Sequence, residues 1–363
     1  MSKRFLITIV TVVIITVVAG IAILLAKGYT FSPKEKRIIG TGIITVSSEP
    51  DAASVFVDGH LTTATNATIS SLPPKTYSIR LTKEGFIPWE REVPVKEGLV
   101  TALKVTMYPA IPTIYPLTFT GVASPILSPD GSKLSFVVPV ATGSAATKKS
   151  GVWVWTMVKN QPIAFARSSE PHQIANNSIA DFSNATLKWS PDSKQVLVTL
   201  TNSNFLLDSD NLNSEPRDIT AILQATLDSW EDDTKAKETI RIEAIKNKNL
   251  RKIASDSAIL VWSPDETKFM VDTRVYDLDD GKEYSLPAAK AHIWLPDSAH
   301  IVLVGETEIS IVDFDGTNKA VIYAGNFKDN FVFPWPDSSR LVIISSFPTP
   351  TASQPNFYGI NLR

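Results

Sequence analysis

Five short stretches of this chain carry the same corner: "SPDGSKLSF" from Ser128, "SPDSKQVLV" from Ser190, "SPDETKFMV" from Ser263, "LPDSAHIVL" from Leu295 and "PDSSRLVII" from Pro336. Proline presets φ for the first corner of a turn and aspartate hydrogen-bonds the backbone two residues on, so the pair reverses a chain at little cost. Each corner precedes a run that is apolar nearly throughout, over residues 134–138, 196–200, 269–271, 301–304 and 341–344. Continuous rather than alternating hydrophobicity marks strands buried on both faces. A chain that repeats this unit lays down small sheets that shield one another, and radial stacking of such sheets makes a β-propeller.

The positions before each corner agree. Trp189, Trp262 and Trp294 stand two residues ahead of their prolines and Leu127 fills that place in the first unit, whereas Trp335 directly precedes Pro336. A recurring Trp of this kind reads as a wedge between sheets rather than a ligand platform. Only the first unit has glycine after the aspartate; Ser193, Glu266, Ser298 and Ser338 replace it. These residues resemble the WD40-like repeats of the TolB type, in which an aromatic-Ser-Pro-Asp-Gly turn links the two inner strands of a blade. The resemblance covers Thr118 to the C-terminus and implies a propeller of about five blades. The Pro-to-Pro spacings are 62, 73, 32 and 40 residues, against about 40–45 for a four-stranded repeat, so the first two intervals carry insertions. "FYGINLR" supplies a third strand to the last blade and leaves nothing for a fourth, and a strand near residues 113–118 is expected to complete it and close the ring. "VYDLDDGKEYSL" and "ISIVDFDGTNKAVIY" read as outer hairpins turning at Asp280-Gly281 and Asp315-Gly316. Neither these nor "DSDNLNSE" from Asp208 has the oxygen spacing of a calcium loop.

Ahead of the repeats, residues 40–109 break into short alternating runs cut by turn residues at Asp58-Gly59, Pro73-Pro74 and Glu84-Gly85, the pattern of a compact antiparallel sandwich. Pro50-Asp51-Ala52-Ala53, Val55-Phe56-Val57-Asp58-Gly59, Leu72 followed by Tyr77-Ser78-Ile79, and Lys83-Glu84-Gly85-Phe86 resemble a PEGA domain in order and spacing. Ala52 stands where that family has its motif glycine, and Lys75 or Thr76 where it has another. The resemblance implies a surface-associated bacterial module without catalytic residues. Asp58-Gly59 itself reads as a tight hairpin turn, not a ligand site.

Residues 5–26, "FLITIVTVVIITVVAGIAILLA", hold no charge. A helix of that length at about 1.5 Å per residue crosses a hydrocarbon layer of about 30 Å, so a transmembrane anchor is expected. The run is longer than a signal-peptide core and ends "LLAKG" without a small-residue cleavage motif. Lys3 and Arg4 precede it and Lys27, Lys34, Lys36 and Arg37 follow, so charge alone does not orient it. The short tail ahead of the run favours a single-pass protein of the cell membrane, its N-terminus cytoplasmic and its C-terminal domains extracytoplasmic. Tyr29 and Phe31 then sit where interfacial aromatics sit.

Between the second and third corners lies a segment free of Pro and Gly, "ITAILQATLDSWEDDTKAKETIRIEAIKNKNLRKIASDSA". Ile222, Leu223, Leu227 and Trp230, then Ile242, Ile245 and Leu250, fit two amphipathic helices broken near Asp232-Asp233, packed as a cap or offered to a partner.

The fold class expected is thus mainly β, in four parts: residues 1–27 as tail and transmembrane anchor, 28–39 as juxtamembrane linker, 40–109 as a PEGA-like sandwich, and 110–363 as a WD40-like propeller with a helical insertion near 219–254. With 35 basic and 37 acidic residues the net charge is −2, which gives no footprint for nucleic acid. Cysteine is absent, so disulfides, thiolate nucleophiles and Cys-ligated zinc are excluded. No Gly-x-Ser-x-Gly, His-Glu-x-x-His or Gly-x-x-x-x-Gly-Lys motif occurs, and His60, His172, His292 and His300 are scattered along the chain. No catalytic, cofactor-binding or metal-ligating residue is nominated, and no cofactor. The reading is a non-enzymatic envelope binding or scaffolding protein, tethered by its N-terminal helix, with a protein or glycan partner. The alternatives are an envelope hydrolase working in the propeller channel and a purely structural surface spacer.

Overall fold

The computed structural model describes residues 3–26, 29–32, 37–140, 149–157, 170–328, 331–346 and 354–363. It divides into two units, Met1–Ile111 and Pro112–Arg363.

In the first unit, helix α1 spans Lys3–Ala26, and Thr11 and Thr16 return their hydroxyls to the carbonyls of Ile7 and Val12. Among the described residues no helix is long and apolar enough to cross a membrane. That finding overturns the expected anchor and the single-pass membrane placement drawn from it. The stretch expected as a plain linker holds a two-stranded ladder, Tyr29–Ser32 against Arg37–Gly40. Lys27, Lys34 and Lys36 lie outside the described residues.

Seven strands build the sandwich. One sheet orders Ala67–Leu72, Gly42–Glu49 and Val100–Thr106; the other orders His60–Ala64, Ser54–Val57, Thr76–Thr82 and Trp89–Pro94. Alternate residues of both meet in one core, with Ile44, Val55, Ile79 and Leu81 fully buried, the period-2 arrangement that strands impose. The sandwich is not wholly antiparallel: Gly42–Glu49 runs parallel to Val100–Thr106, Ile43 facing Val100 and Glu49 facing Thr106. The first and last strands lie side by side, and the intervening domain is a connection long enough for a parallel pair. Asp58 and Gly59 turn with φ of 48° and 80°, as a tight hairpin requires. Asp58 accepts hydrogen bonds from Lys75 Nζ at 2.6 Å and from the Ser78 N–H at 3.1 Å. Ala52 takes the left-handed conformation, φ 55°, in place of a glycine, while Lys75 and Thr76 have no positive φ.

Among the described residues the second unit holds five four-stranded antiparallel sheets. The first comprises Ala123–Leu127, Lys133–Val138, Gly151–Thr156 and His172–Asn176; the second Thr186–Trp189, Gln195–Thr199, Asn204–Asp208 and Arg217–Asp218. The third comprises Val261–Trp262, Lys268–Val271, Arg274–Asp277 and Glu283–Ser285; the fourth Ala291–Trp294, His300–Val304, Glu308–Asp313 and Ala320–Ala324. The fifth comprises Val332–Pro334, Arg340–Ser345, Asn356–Asn361 and, from the other end of the unit, Ile114–Pro116, with Tyr115 facing Gly359. Every Pro-Asp corner joins the first strand of a sheet to its second. The second strands are deeply buried, Ile301, Val302 and Val304 fully so, as their unbroken apolar runs demand.

A closed propeller is not what these sheets form: each is open, and among the described residues no hydrogen-bonded ladder joins one to another. They meet through side chains. The first packs on the second through Val152, Val154, Leu187 and Val196, the first on the fifth through Phe136, Trp155, Trp335 and Phe357, and the third on the fourth through Met270, Val275, Trp294 and Ile301. The insertion serves the second and third sheets. Helix α2, Leu223–Ala244, sets Leu223, Leu227 and Trp230 on Leu197, Leu206 and Ile219 of the second. Ile245 at its end and Leu250 and Ala254 of α3, Lys248–Asp256, cover Phe269 and Tyr276 of the third. The insertion therefore packs as a cap. It breaks at residues 245–247, not at Asp232-Asp233: the two aspartates ride exposed on α2, and Asn247 caps α3 by accepting the N–H groups of Asn249 and Leu250.

Candidate functional site

The recurring polar residues are engaged inside the corners. In the first three, the serine hydroxyl donates to the aspartate two residues on, Ser128 to Asp130, Ser190 to Asp192 and Ser263 to Asp265, each at 2.6 Å. The same oxygens accept the N–H groups of Lys133, Gln195 and Lys268 at 2.9–3.0 Å. Burial pushes the carboxyls of Asp130 and Asp265 up, but the hydroxyl and backbone donors around them win and hold both below the usual carboxylate range. At Asp192 the Ser190 hydroxyl dominates, to the same effect.

Contacts between corners follow a pattern that the insertion interrupts. Trp189 Nε1 donates to the Ile126 carbonyl of the preceding sheet at 3.0 Å, and Trp294 Nε1 to that of Val261 at 3.3 Å. The hydroxyl of Ser193 accepts the Asp130 N–H and that of Ser298 the Asp265 N–H. At the third corner both contacts go to α2 instead: Trp262 Nε1 donates to Glu238 at 2.8 Å, and Glu266 pairs with Arg241 at 2.8 Å. Helix α2 thus takes, for the third sheet, the place a neighbouring sheet takes for the second and fourth.

In the fourth corner, leucine replaces the serine and a histidine fills the gap. His300 Nδ1 lies 2.7 Å from Asp297 Oδ2, and Nε2 lies 3.4 Å from Asp313 Oδ1. The hairpin register brings them together, since His300 faces Asp313 across adjacent strands. Burial pushes the Asp297 carboxyl up, yet its bonds to His300 and to the N–H groups of Ala299 and His300 leave it below its ordinary value. The His300 side chain is only 7% exposed, which suits a structural network rather than a reacting group. The other histidines stay apart: His172 Nε2 donates to the Ser209 carbonyl and His292 Nε2 to that of Pro287, while His60 opens an exposed strand. Among the described residues no group of three or more His, Asp or Glu side chains is placed to hold a metal ion. The loops weighed against calcium are turns, with Asp280 held by Lys282 and Tyr284, Asp315 by Thr317, and Asp208 by Asp210 and Asn211.

One groove of about 420 Å³ opens between the outer edge of the second sheet and α2. Leu206 and Ile219 form its floor, Trp230 and Ile222 an apolar wall, and Arg217, Gln195 and Ser229 its polar rim. Residues 225, 226, 229 and 230 fall on one face of α2, at spacings of three and four, and Ile222 stands at its N-cap. Ala225, Thr226 and Ser229 are small, so that face leaves open space against the sheet edge. No hydrogen bond or ion pair among the described residues occupies the side chains of Arg217, Gln195 or Ser229. The sequence pointed to Ile222 and Trp230 as part of an amphipathic face, but not to Arg217, whose place depends on a two-residue edge strand.

No curated protein matches this chain. Among solved structures it is similar to a TolB-type protein from Agrobacterium tumefaciens, at 17% identity and a TM-score of 0.23 over 64% of this chain and 76% of that one. It is similar also to TolB from Acinetobacter baumannii, at 13% identity and a TM-score of 0.24 over 79% of this chain and 59% of the other. Residues 41–110 match the family model of the PEGA domain. The first unit therefore carries a PEGA domain, built on the seven strands from Gly42 to Thr106.

Proposed function

We propose that this chain is a non-enzymatic binding or scaffolding protein of the bacterial cell envelope, its second unit engaging a protein or glycan partner. One observation carries the reading: the serines and aspartates of the first three corners are bonded to one another, whereas free polar groups gather beside an aromatic ring at an open groove. A concave site with an apolar wall and a few convergent polar groups is built for recognition. The PEGA domain of the first unit supports the envelope assignment. The test immobilises the intact chain, passes fragmented native envelope over it and quantifies bound and recovered material. Saturable capture of an envelope component, recovered chemically unchanged, is the expected result. Capture no greater than on the empty matrix would overturn the reading, and recovery of the component in cleaved form would replace it with a hydrolase.

A further inference from the structure

We propose that the groove between Arg217 and Trp230 binds a carboxylated sugar, a uronic acid residue of an envelope glycan. The inference rests on the reading of the chain as an envelope binding module and names the ligand class of that site. Arg217 supplies the charge. A guanidinium is a planar fork that grips a carboxylate through two parallel bonds, and this one stands on the outermost strand of its sheet, opposite Leu206. Its acidic neighbours are turned to other partners: Asp218 accepts the Thr220 N–H, Asp228 the Gln224 amide, and Glu231 pairs with Lys235.

The rest of the rim suits hydroxyls. The amide of Gln195 and the hydroxyl of Ser229 each both donate and accept, as sugar hydroxyls do, and the Trp230 ring with Ile222 offers an apolar wall to the C–H face of a sugar ring. The volume of about 420 Å³ falls within the range of small-molecule sites and so admits a saccharide unit. The space exists because α2 presents Ala225, Thr226 and Ser229 there.

The test titrates the full chain calorimetrically with a glucuronic-acid-containing disaccharide, with the same disaccharide after reduction of its carboxyl, and with a short peptide ending in a free carboxylate. The uronate is expected to bind at least about tenfold more tightly than the reduced sugar, a difference of about 1.4 kcal/mol. Arg217→Gln should erase that advantage. Ser229→Trp, on an exposed position, should block the groove and abolish binding of both sugars with the thermal unfolding midpoint unchanged. Equal affinity for the two sugars, binding that survives Arg217→Gln, or binding of the peptide but not the uronate would each overturn the assignment. If Ser229→Trp captures native envelope as well as the wild type does, the groove assignment fails while the binding reading stands. If the wild type captures nothing, the binding reading falls and this inference with it.

Discussion

One backbone angle recurs at the residue after each corner aspartate: φ is 69° at Gly131, 61° at Ser193, and 58° at Glu266, Ser298 and Ser338. A side chain in that left-handed region costs about 1 kcal/mol relative to glycine. Ser298 offsets the cost by accepting the Asp265 N–H at 3.0 Å; Ser338 has no such bond among the described residues. We therefore expect Ser338→Gly to raise stability by about 0.5–1 kcal/mol in urea unfolding. Ser298→Gly should gain nothing, because it forfeits a hydrogen bond of about 1 kcal/mol. The corner carboxylates set the response to acid. Asp297, like Asp130, Asp192 and Asp265, is held below its ordinary value in the folded chain. A depressed folded pKa contributes stability above the unfolded value and loses it as pH falls through the folded one. The unfolding midpoint should therefore drop below about pH 4, and Asp297→Asn should start lower and fall less over that range.

At the scale of elements, α3 is a short helix whose start depends on one side chain. Asn247→Ala should cost about 1 kcal/mol, measurable as a lower midpoint, because the N–H groups of Asn249 and Leu250 lose their acceptor. The same residue explains a misplaced break. In the sequence, Asp232-Asp233 looks like the interruption, yet a charged pair on an exposed helix face is merely solvated; the chain turns where Asn247 caps and Ile245 drops onto the third sheet. The strands were legible because Pro-Asp corners and unbroken apolar runs are local signals. The groove was not, because it depends on Arg217 reaching α2 across a strand of two residues. Nor was the cluster around His300, assembled by hairpin register between residues 13 positions apart.

Across the whole second unit, the central claim is that corners and burial make one body whose two ends meet in a single open sheet. The closed ring that the repeats suggested gives way to open sheets packed through side chains, with α2 standing in for a neighbouring sheet at the third corner. The junction is the strand Ile114–Pro116, which completes the fifth sheet beside Asn356–Asn361. Facing residues on antiparallel strands sit about 4.5–5.5 Å apart at Cα, within disulfide reach. Tyr115 faces Gly359, and its ring fills the space a side chain at Gly359 would enter, so replacing both residues relieves the clash. The chain has no cysteine of its own. The most direct measurement is therefore the oxidation of a Tyr115→Cys, Gly359→Cys double variant in the native state. The account predicts rapid, near-complete formation of an intramolecular disulfide that persists at low protein concentration. Free thiols, or cross-links only between molecules, would contradict it.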